Sequence, residues 1–240
     1  MKNALVIPVR LDSTRLPYKA LRTIKGISIV QRVVNQCVKT GLKTYVITDS
    51  QHIAETVSFN SKTHNNVYVI YDQRNADSGT HRIANIVRGL SEDNFINVQG
   101  DQPFISPEAI LEMSDFMTNN PDCDVVTPVS KHHPEKYNDP SKCKVVRSLS
   151  GRAVYFSRNP IPYNADDFWG HLGIYGYKRK VLENYHKLKI SPLEEVERLE
   201  QLRFIDNDIP IHTYETKHSI FSVDTLSDFK YATDHCGELI

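Results

Sequence analysis

The sequence predicts an α/β fold: a mixed, mostly parallel sheet with helices on both faces, plus a small additional lobe. Two observations carry this. The first half alternates short, continuous apolar runs with amphipathic stretches of ten or more residues, as parallel strands covered on both faces require. The second half keeps the apolar runs but loses the regular helical crossovers, which points to mixed strands completing the sheet and building a lobe.

In order, Ala4–Ile7 reads as a buried strand, Ser28–Lys39 as a helix, Thr44–Thr48 as a strand and Ser50–Asn60 as a helix. Val67–Ile70 is a third strand, Gly79–Leu90 a helix, Asn94–Val98 a fourth strand and Pro107–Met117 a helix. Strands are then expected at Asp124–Val129, Cys143–Ser148, Ala153–Ser157 and Leu172–Tyr177, followed by helices at Lys178–Leu188 and Leu193–Phe204. A strand at Ile211–Tyr214 and a last helix from Leu226 close the chain. With no repeat, linker or low-complexity tract, residues 1–240 are expected to form one domain: a first half to about 120, a lobe over about 121–215, and 216–240 returning to the core.

Composition excludes several classes. The 240 residues carry 29 Lys and Arg against 29 Asp and Glu, a formal net charge of zero. A protein that holds nucleic acid by its phosphates normally has a basic excess, so no nucleic-acid partner is expected. With 40% apolar and 24% charged residues and a mean hydropathy of −0.43, the chain resembles soluble globular domains. No apolar run approaches the ~18–20 residues of a membrane span. Cys37, Cys123, Cys143 and Cys236 are scattered without a C-x-x-C, which suits thiols in a reducing cytoplasm better than a disulfide frame or zinc site.

Ligands of parallel sheets sit beyond the carboxyl ends of the strands. The loop after the first strand, Pro8-Val-Arg-Leu-Asp-Ser-Thr-Arg-Leu-Pro-Tyr-Lys19, gathers Arg10, Arg15 and Lys19 with the hydroxyls of Ser13 and Thr14. Such cations suit a triphosphate, or else pair with surface acids. Neither a G-x-G-x-x-G nor a G-x-x-x-x-G-K-[ST] loop is present. Val98-Gln-Gly-Asp-Gln-Pro103 puts Asp101 after a buried strand, behind Gly100; Asp101 reads as a Mg²⁺ ligand or a strand-end cap. Asp224 reads first as the N-cap of the last helix. Ser78 and Gly79 open a helix and could meet a base or phosphate, or simply cap it. The Glu/Arg alternation from Glu194 to Arg203 reads as a solvated helix face laced by (i, i+3) and (i, i+4) pairs.

Taken in order, Pro8-x-Arg-x-x-Ser-Thr-Arg-Leu-Pro-x-Lys19, Ser78-Gly-Thr80, Val98-Gln-Gly-Asp101, Tyr155-Phe-Ser-Arg158, His171-Leu-Gly-Ile-Tyr-Gly-Tyr177, Leu199-Glu-Gln-Leu-Arg203 and Val223-Asp-Thr225 resemble the 3-deoxy-manno-octulosonate cytidylyltransferase family over nearly the whole chain. The resemblance implies a Rossmann-like nucleotidyltransferase fold and a homodimer with a sugar-binding and dimerisation lobe. It also implies Mg²⁺-dependent transfer of CMP from CTP to 3-deoxy-manno-octulosonate (Kdo), serving lipopolysaccharide or capsule biosynthesis. It assigns Pro8, Arg10, Ser13, Thr14, Arg15, Lys19, Ser78, Gly79 and Gly100 to the nucleotide, and Lys19, Arg15 and Asp101 to catalysis. Asp101 and Asp224 are assigned to metal, and Gln99, Arg158, His171, Tyr175, Glu200 and Gln201 to the sugar acid.

Three departures stand out. Tyr18 occupies a position that is commonly glycine, removing its backbone freedom and placing a ring beside the phosphates. Gln102 stands where Glu is usual, and the stretch from Pro162 to His171 is short. These leave room for a modified, amino-deoxy Kdo or another ulosonic acid as acceptor. A metal-dependent glycosyltransferase would need a second acid after Asp101, which Gln102-Pro103 lacks, and a silent nucleotide-binding protein is raised by Tyr18.

Overall fold

The computed structural model describes residues 1–132 and 137–239. Strands β1 (Asn3–Val9), β4 (Lys43–Thr48), β5 (Val67–Tyr71) and β6 (Asn94–Asn97) run parallel in the order β5-β4-β1-β6. They are the four strands expected in the first half. On β1, alternate residues face opposite layers. Ala4 and Val6 pack with Ile83 of α3 (Gly79–Ile86) and Leu182 of α5 (Arg179–Asn184). Leu5 and Ile7 pack with Val33 of α1 (Ile29–Val38), Ile53 of α2 (Gln51–Asn60) and Met113 of α4 (Pro107–Asn119). This period-two division of one buried strand is what two helical layers require.

The helices start where side chains can satisfy their free N–H groups. Ser28, Ser50, Ser78 and Ser106 each accept a backbone hydrogen bond at the N-terminus of α1 to α4. Past Leu21 a small hairpin, β2 (Thr23–Ile24) and β3 (Ile27–Ser28), was not apparent from its short sequence. With Leu16, Phe104 and Val223 its Ile24 forms a third apolar cluster beneath α8 (Leu226–Asp234).

The second half continues the same sheet. β11 (Tyr175–Lys178) pairs antiparallel with β6 and with β7 (Val125–His132). β7 also pairs with β10 (Phe168–His171) and with β12 (Ile211–Glu215), while β8 (Lys144–Arg147) and β9 (Ala153–Ser157) extend the sheet beyond β10.

Three local expectations are corrected. The strand predicted over Leu172–Tyr177 begins only at Tyr175, as β11, and an unpredicted strand, β10, precedes it across the break at Leu172–Ile174. The register against β7 slips there, from His171↔Val129 to Gly176↔Val126, and Gly173 takes φ +80° to make the turn. The helix predicted over Leu193–Phe204 is two: α6 (Pro192–Glu197) stops at Arg198, φ +54°, so that Leu199 and Leu202 turn into the core ahead of α7 (Leu202–Asp206). Its Glu/Arg pattern accordingly forms no solvated ladder: Glu194 and Arg203, nine residues apart, make a bidentate pair at 2.7 and 2.8 Å with side chains only 14% and 9% exposed.

Candidate active site

The loop from Arg10 to Lys19 leaves β1 at the carboxyl edge of the sheet, beside the ends of β6 and the N-terminus of α3. Packing there is close: a Cβ on Gly100 would clash with Val9 Cγ2 at 2.6 Å, and one on Gly79 would press on Pro8 Cγ at 3.1 Å. Together with Asp224 these segments enclose a cavity of about 270 Å³. Every residue assigned to the nucleotide lines it: Pro8, Arg10, Ser13, Thr14, Arg15, Lys19, Ser78, Gly79 and Gly100.

Lys19 is its electrostatic centre. Its Nζ donates to Asp101 Oδ2 at 2.6 Å and to Asp224 Oδ1 at 3.0 Å, and Arg15 Nη2 donates to the same Asp224 oxygen at 2.8 Å. Burial by itself would lower the Lys19 pKa, but the two carboxylates outweigh it and hold the ammonium above its usual value. Asp224 is not the N-cap of the last helix. Thr225 takes that role in a capping box with Asp228, leaving the Asp224 carboxylate for the site. The Val223 N–H donates to the Asp101 carbonyl at 2.9 Å, so the two acids are tied together through the backbone as well. Asp101 caps no helix either, since α4 starts from Ser106.

Tyr18 adopts the left-handed conformation at φ +55°, as a glycine would, and its side chain is 61% exposed and lines neither cavity of the site. The expected ring beside the phosphates is therefore absent: the backbone conformation directs it outward.

A second, larger cavity of about 780 Å³ lies between the β6 loop, the β10–β11 irregularity, the stretch from Leu199 to Gln201 ahead of α7, and the segment before α8. Gln99, Arg158, His171, Tyr175, Glu200 and Gln201, all assigned to the sugar acid, line it. Gln99 donates to the Gly173 carbonyl at 3.3 Å. The imidazole of His171 retains some surface on the cavity, yet burial pushes its pKa down to about 3, so it is neutral and accepts the Gly173 N–H at Nε2. Glu200 accepts from Ser78 Oγ at 2.6 Å and Tyr185 Oη at 2.9 Å, and Ser78 also caps α3. One serine thus joins the helix that opens the smaller cavity to the wall of the larger. Arg158 donates to the Pro140 carbonyl at 3.2 Å, and Gln201 to Cys143 Sγ at 3.6 Å.

Arg82 was missed in the sequence. It lines the smaller cavity, is 5% exposed, and is held by Asp49 Oδ2 at 2.6 Å and the Asp72 carbonyl at 3.2 Å. Its signal was faint: four residues beyond Ser78, it falls on the inner face of the helix that Ser78 caps.

The two cavities share Arg15, Gln99, Asp101 and Asp224. A cavity lined by paired cations and carboxylates at the carboxyl edge of a parallel sheet, open through a carboxylate-bearing wall to a second polar cavity, defines an α/β nucleotidyltransferase. Residues 4–217 match the cytidylyltransferase family model. The 3-deoxy-manno-octulosonate cytidylyltransferase of Rickettsia prowazekii (strain Madrid E) is 40% identical, over 100% of this chain and 98% of its own, and that of Rickettsia canadensis (strain McKiel) is 38% identical over 95% and 93%. A solved CMP:2-keto-3-deoxy-manno-octonic acid synthetase in complex with CTP superposes with a TM-score of 0.92 at 32% identity, covering both chains completely. The chain belongs to the 3-deoxy-manno-octulosonate cytidylyltransferase family. HddC from Yersinia pseudotuberculosis, at a TM-score of 0.73 and 16% identity, shares the fold.

Proposed function

We propose that the protein transfers CMP from CTP to the anomeric hydroxyl of Kdo or a close 3-deoxy-ulosonic acid, releasing pyrophosphate. The observation that carries this is the shared wall: the triphosphate end of one cavity and the acceptor cavity meet at Arg15, Gln99, Asp101 and Asp224. Two anions brought there have little translational freedom left to lose before reacting, which is the main service a phosphoryl-transfer site provides.

Arg10, Arg15 and Lys19, with the Ser13 and Thr14 hydroxyls, bind the triphosphate. Ser78 and Gly79 hold the cytidine at the α3 N-terminus. In the free protein Lys19 is engaged by Asp101 and Asp224; an incoming triphosphate offers it a denser negative charge, so Lys19 and Arg15 move onto the phosphates and stabilise charge on the departing pyrophosphate. Arg158 takes the acceptor's carboxylate, while Gln99, His171, Tyr175, Glu200 and Gln201 orient its hydroxyls. Neutral His171, already an acceptor at Nε2, orients rather than shuttles protons.

Asp101 and Asp224 suit Mg²⁺. Their oxygens converge on one point, now the Lys19 nitrogen, and Mg²⁺ characteristically takes one or two carboxylates and completes its shell with phosphates and water. Bound there, it would neutralise phosphate charge and acidify the attacking hydroxyl. Among the described residues no group of three or more His, Cys, Asp or Glu offers a fuller set of ligands.

We further propose a cytoplasmic homodimer with Leu149, Val154 and Val196, apolar and more than half exposed around the edge strand β9, at its interface. Among the described residues no helix is long and apolar enough to cross a membrane. A coupled pyrophosphate assay over nucleotides and sugar acids, run beside Asp101→Asn, tests the activity. Release is expected with CTP, Mg²⁺ and a 3-deoxy-ulosonic acid together, falling at least ~10²-fold in the variant. Absence of release with every ulosonic acid overturns it.

A further inference from the structure

Gln102 lies one residue beyond Asp101 and is 2% exposed, yet it lines the larger cavity. Its Nε2 donates to the Leu172 carbonyl at 3.4 Å, beside the Gln99 bond to the Gly173 carbonyl. The Leu172 carbonyl fixes the amide's orientation, because reversing it would set two acceptor oxygens against each other. The opposite atom, Gln102 Oε1, is buried and has no hydrogen-bond partner among the described residues. Tyr175 Oη, also on the larger cavity, is in the same condition. Buried polar atoms in folded proteins are nearly always paired, so two unpaired ones on residues that line a single cavity point to a ligand that supplies the missing partner.

An amide oxygen can only accept, and therefore selects a donor. The acceptor's carboxylate cannot serve, whereas its hydroxyls can. Peptide geometry keeps Gln102 close to Asp101 and the shared wall, where the anomeric carbon must sit, so the hydroxyl concerned belongs to the sugar ring rather than to the far end of its side chain.

We propose that Gln102 is a specificity-determining residue, its Oε1 accepting a ring hydroxyl of the 3-deoxy-ulosonic acid, to whose oxygen Tyr175 Oη donates. This rests on the activity proposed above. A site that hydrogen-bonds a substrate hydroxyl rejects the analogue lacking it, because the protein atom is then left buried and unpaired.

The test compares wild type, Gln102→Leu and Gln102→Glu on the parent acid and on analogues each lacking one hydroxyl, reading kcat/KM for the acid and, separately, CTP affinity by calorimetry. Wild type should lose about tenfold or more on one ring-deoxy analogue. Gln102→Leu should show a similar loss on the parent, no further loss on that analogue, and CTP affinity within about twofold of wild type; Gln102→Glu, which keeps an acceptor oxygen, should still discriminate. The proposal is overturned if Gln102→Leu pays the wild-type penalty on every analogue, or if CTP affinity falls as far as acceptor use. Should the Leu variant not fold, Gln102→Met carries the same comparison. Failure of the underlying activity looks different: wild type then turns over no ulosonic acid at all.

Discussion

Lys19 shows how much of the site depends on one side chain. It is the cation between two acids, largely enclosed at 16% side-chain exposure. Replacing it with Met leaves Asp101 and Asp224 to repel each other and removes a charge from the leaving pyrophosphate. Turnover should fall at least ~10²-fold, and steady-state kinetics showing a loss below about threefold would refute its role. His171 makes a different prediction. Its pKa is depressed in the folded chain, so on acidification the unfolded chain takes up the proton first, and stability is lost as pH falls below about 6.5 toward 3. Between pH 7.5 and 5.5 wild type should lose about 1 kcal/mol more stability than His171→Gln, measured by denaturant unfolding at the two pH values.

At the scale of elements, the Glu194–Arg203 pair joins α6 to α7 across the break at Arg198. The Arg203 guanidinium also lies 5.0 Å from the Tyr185 ring centroid, and Tyr185 holds Glu200. Glu194→Ala would strand an enclosed cation, costing about 3 kcal/mol and lowering the melting temperature by about 6–12 °C in a chain this size. A calorimetric shift under about 2 °C would contradict this.

These elements also show where sequence patterns suffice and where they fail. β1, β4, β5 and β6 were legible because strands covered on both faces read as unbroken apolar runs, and α1 to α4 because a capping serine precedes each. The break at Arg198 was invisible: Glu/Arg spacing looks the same for one helix or two, and only the burial of Leu199 and Leu202 decides between them. β10 escaped because Phe168–His171 pairs in the interior of the sheet, while Gly173 interrupts what looked like one strand. Asp224 was first placed at a helix cap since Asp is in general the better N-cap than Thr; tertiary contact with Lys19, 205 residues away, assigns the positions. Loop residues such as Arg10, Ser13 and Thr14 could be located only because parallel sheets bind ligands at their carboxyl edge.

At the scale of the whole molecule, the equal totals of 29 basic and 29 acidic residues conceal a local arrangement. The smaller cavity sets Arg10, Arg15, Lys19 and Arg82 against Asp12, Asp77, Asp101 and Asp224, and on the function proposed above a triphosphate would enter by displacing Asp101 and Asp224 from Lys19 and Arg15. The lobe built by β8, β9 and the second half of the sheet supplies much of the larger cavity, and the sheet's continuity through β6, β11 and β7 holds the two cavities in fixed relation. On the function proposed above, an acceptor hydroxyl attacks the α-phosphorus directly, and the expectation is that no phosphorylated or nucleotidylated protein intermediate forms. Turnover of CTP made chiral at the α-phosphorus by a single α-thio substitution, with the configuration of the CMP-sugar product read by ³¹P NMR, tests this most directly. The configuration should invert, as one in-line displacement requires. Retention, or no CMP-sugar formed, would contradict it.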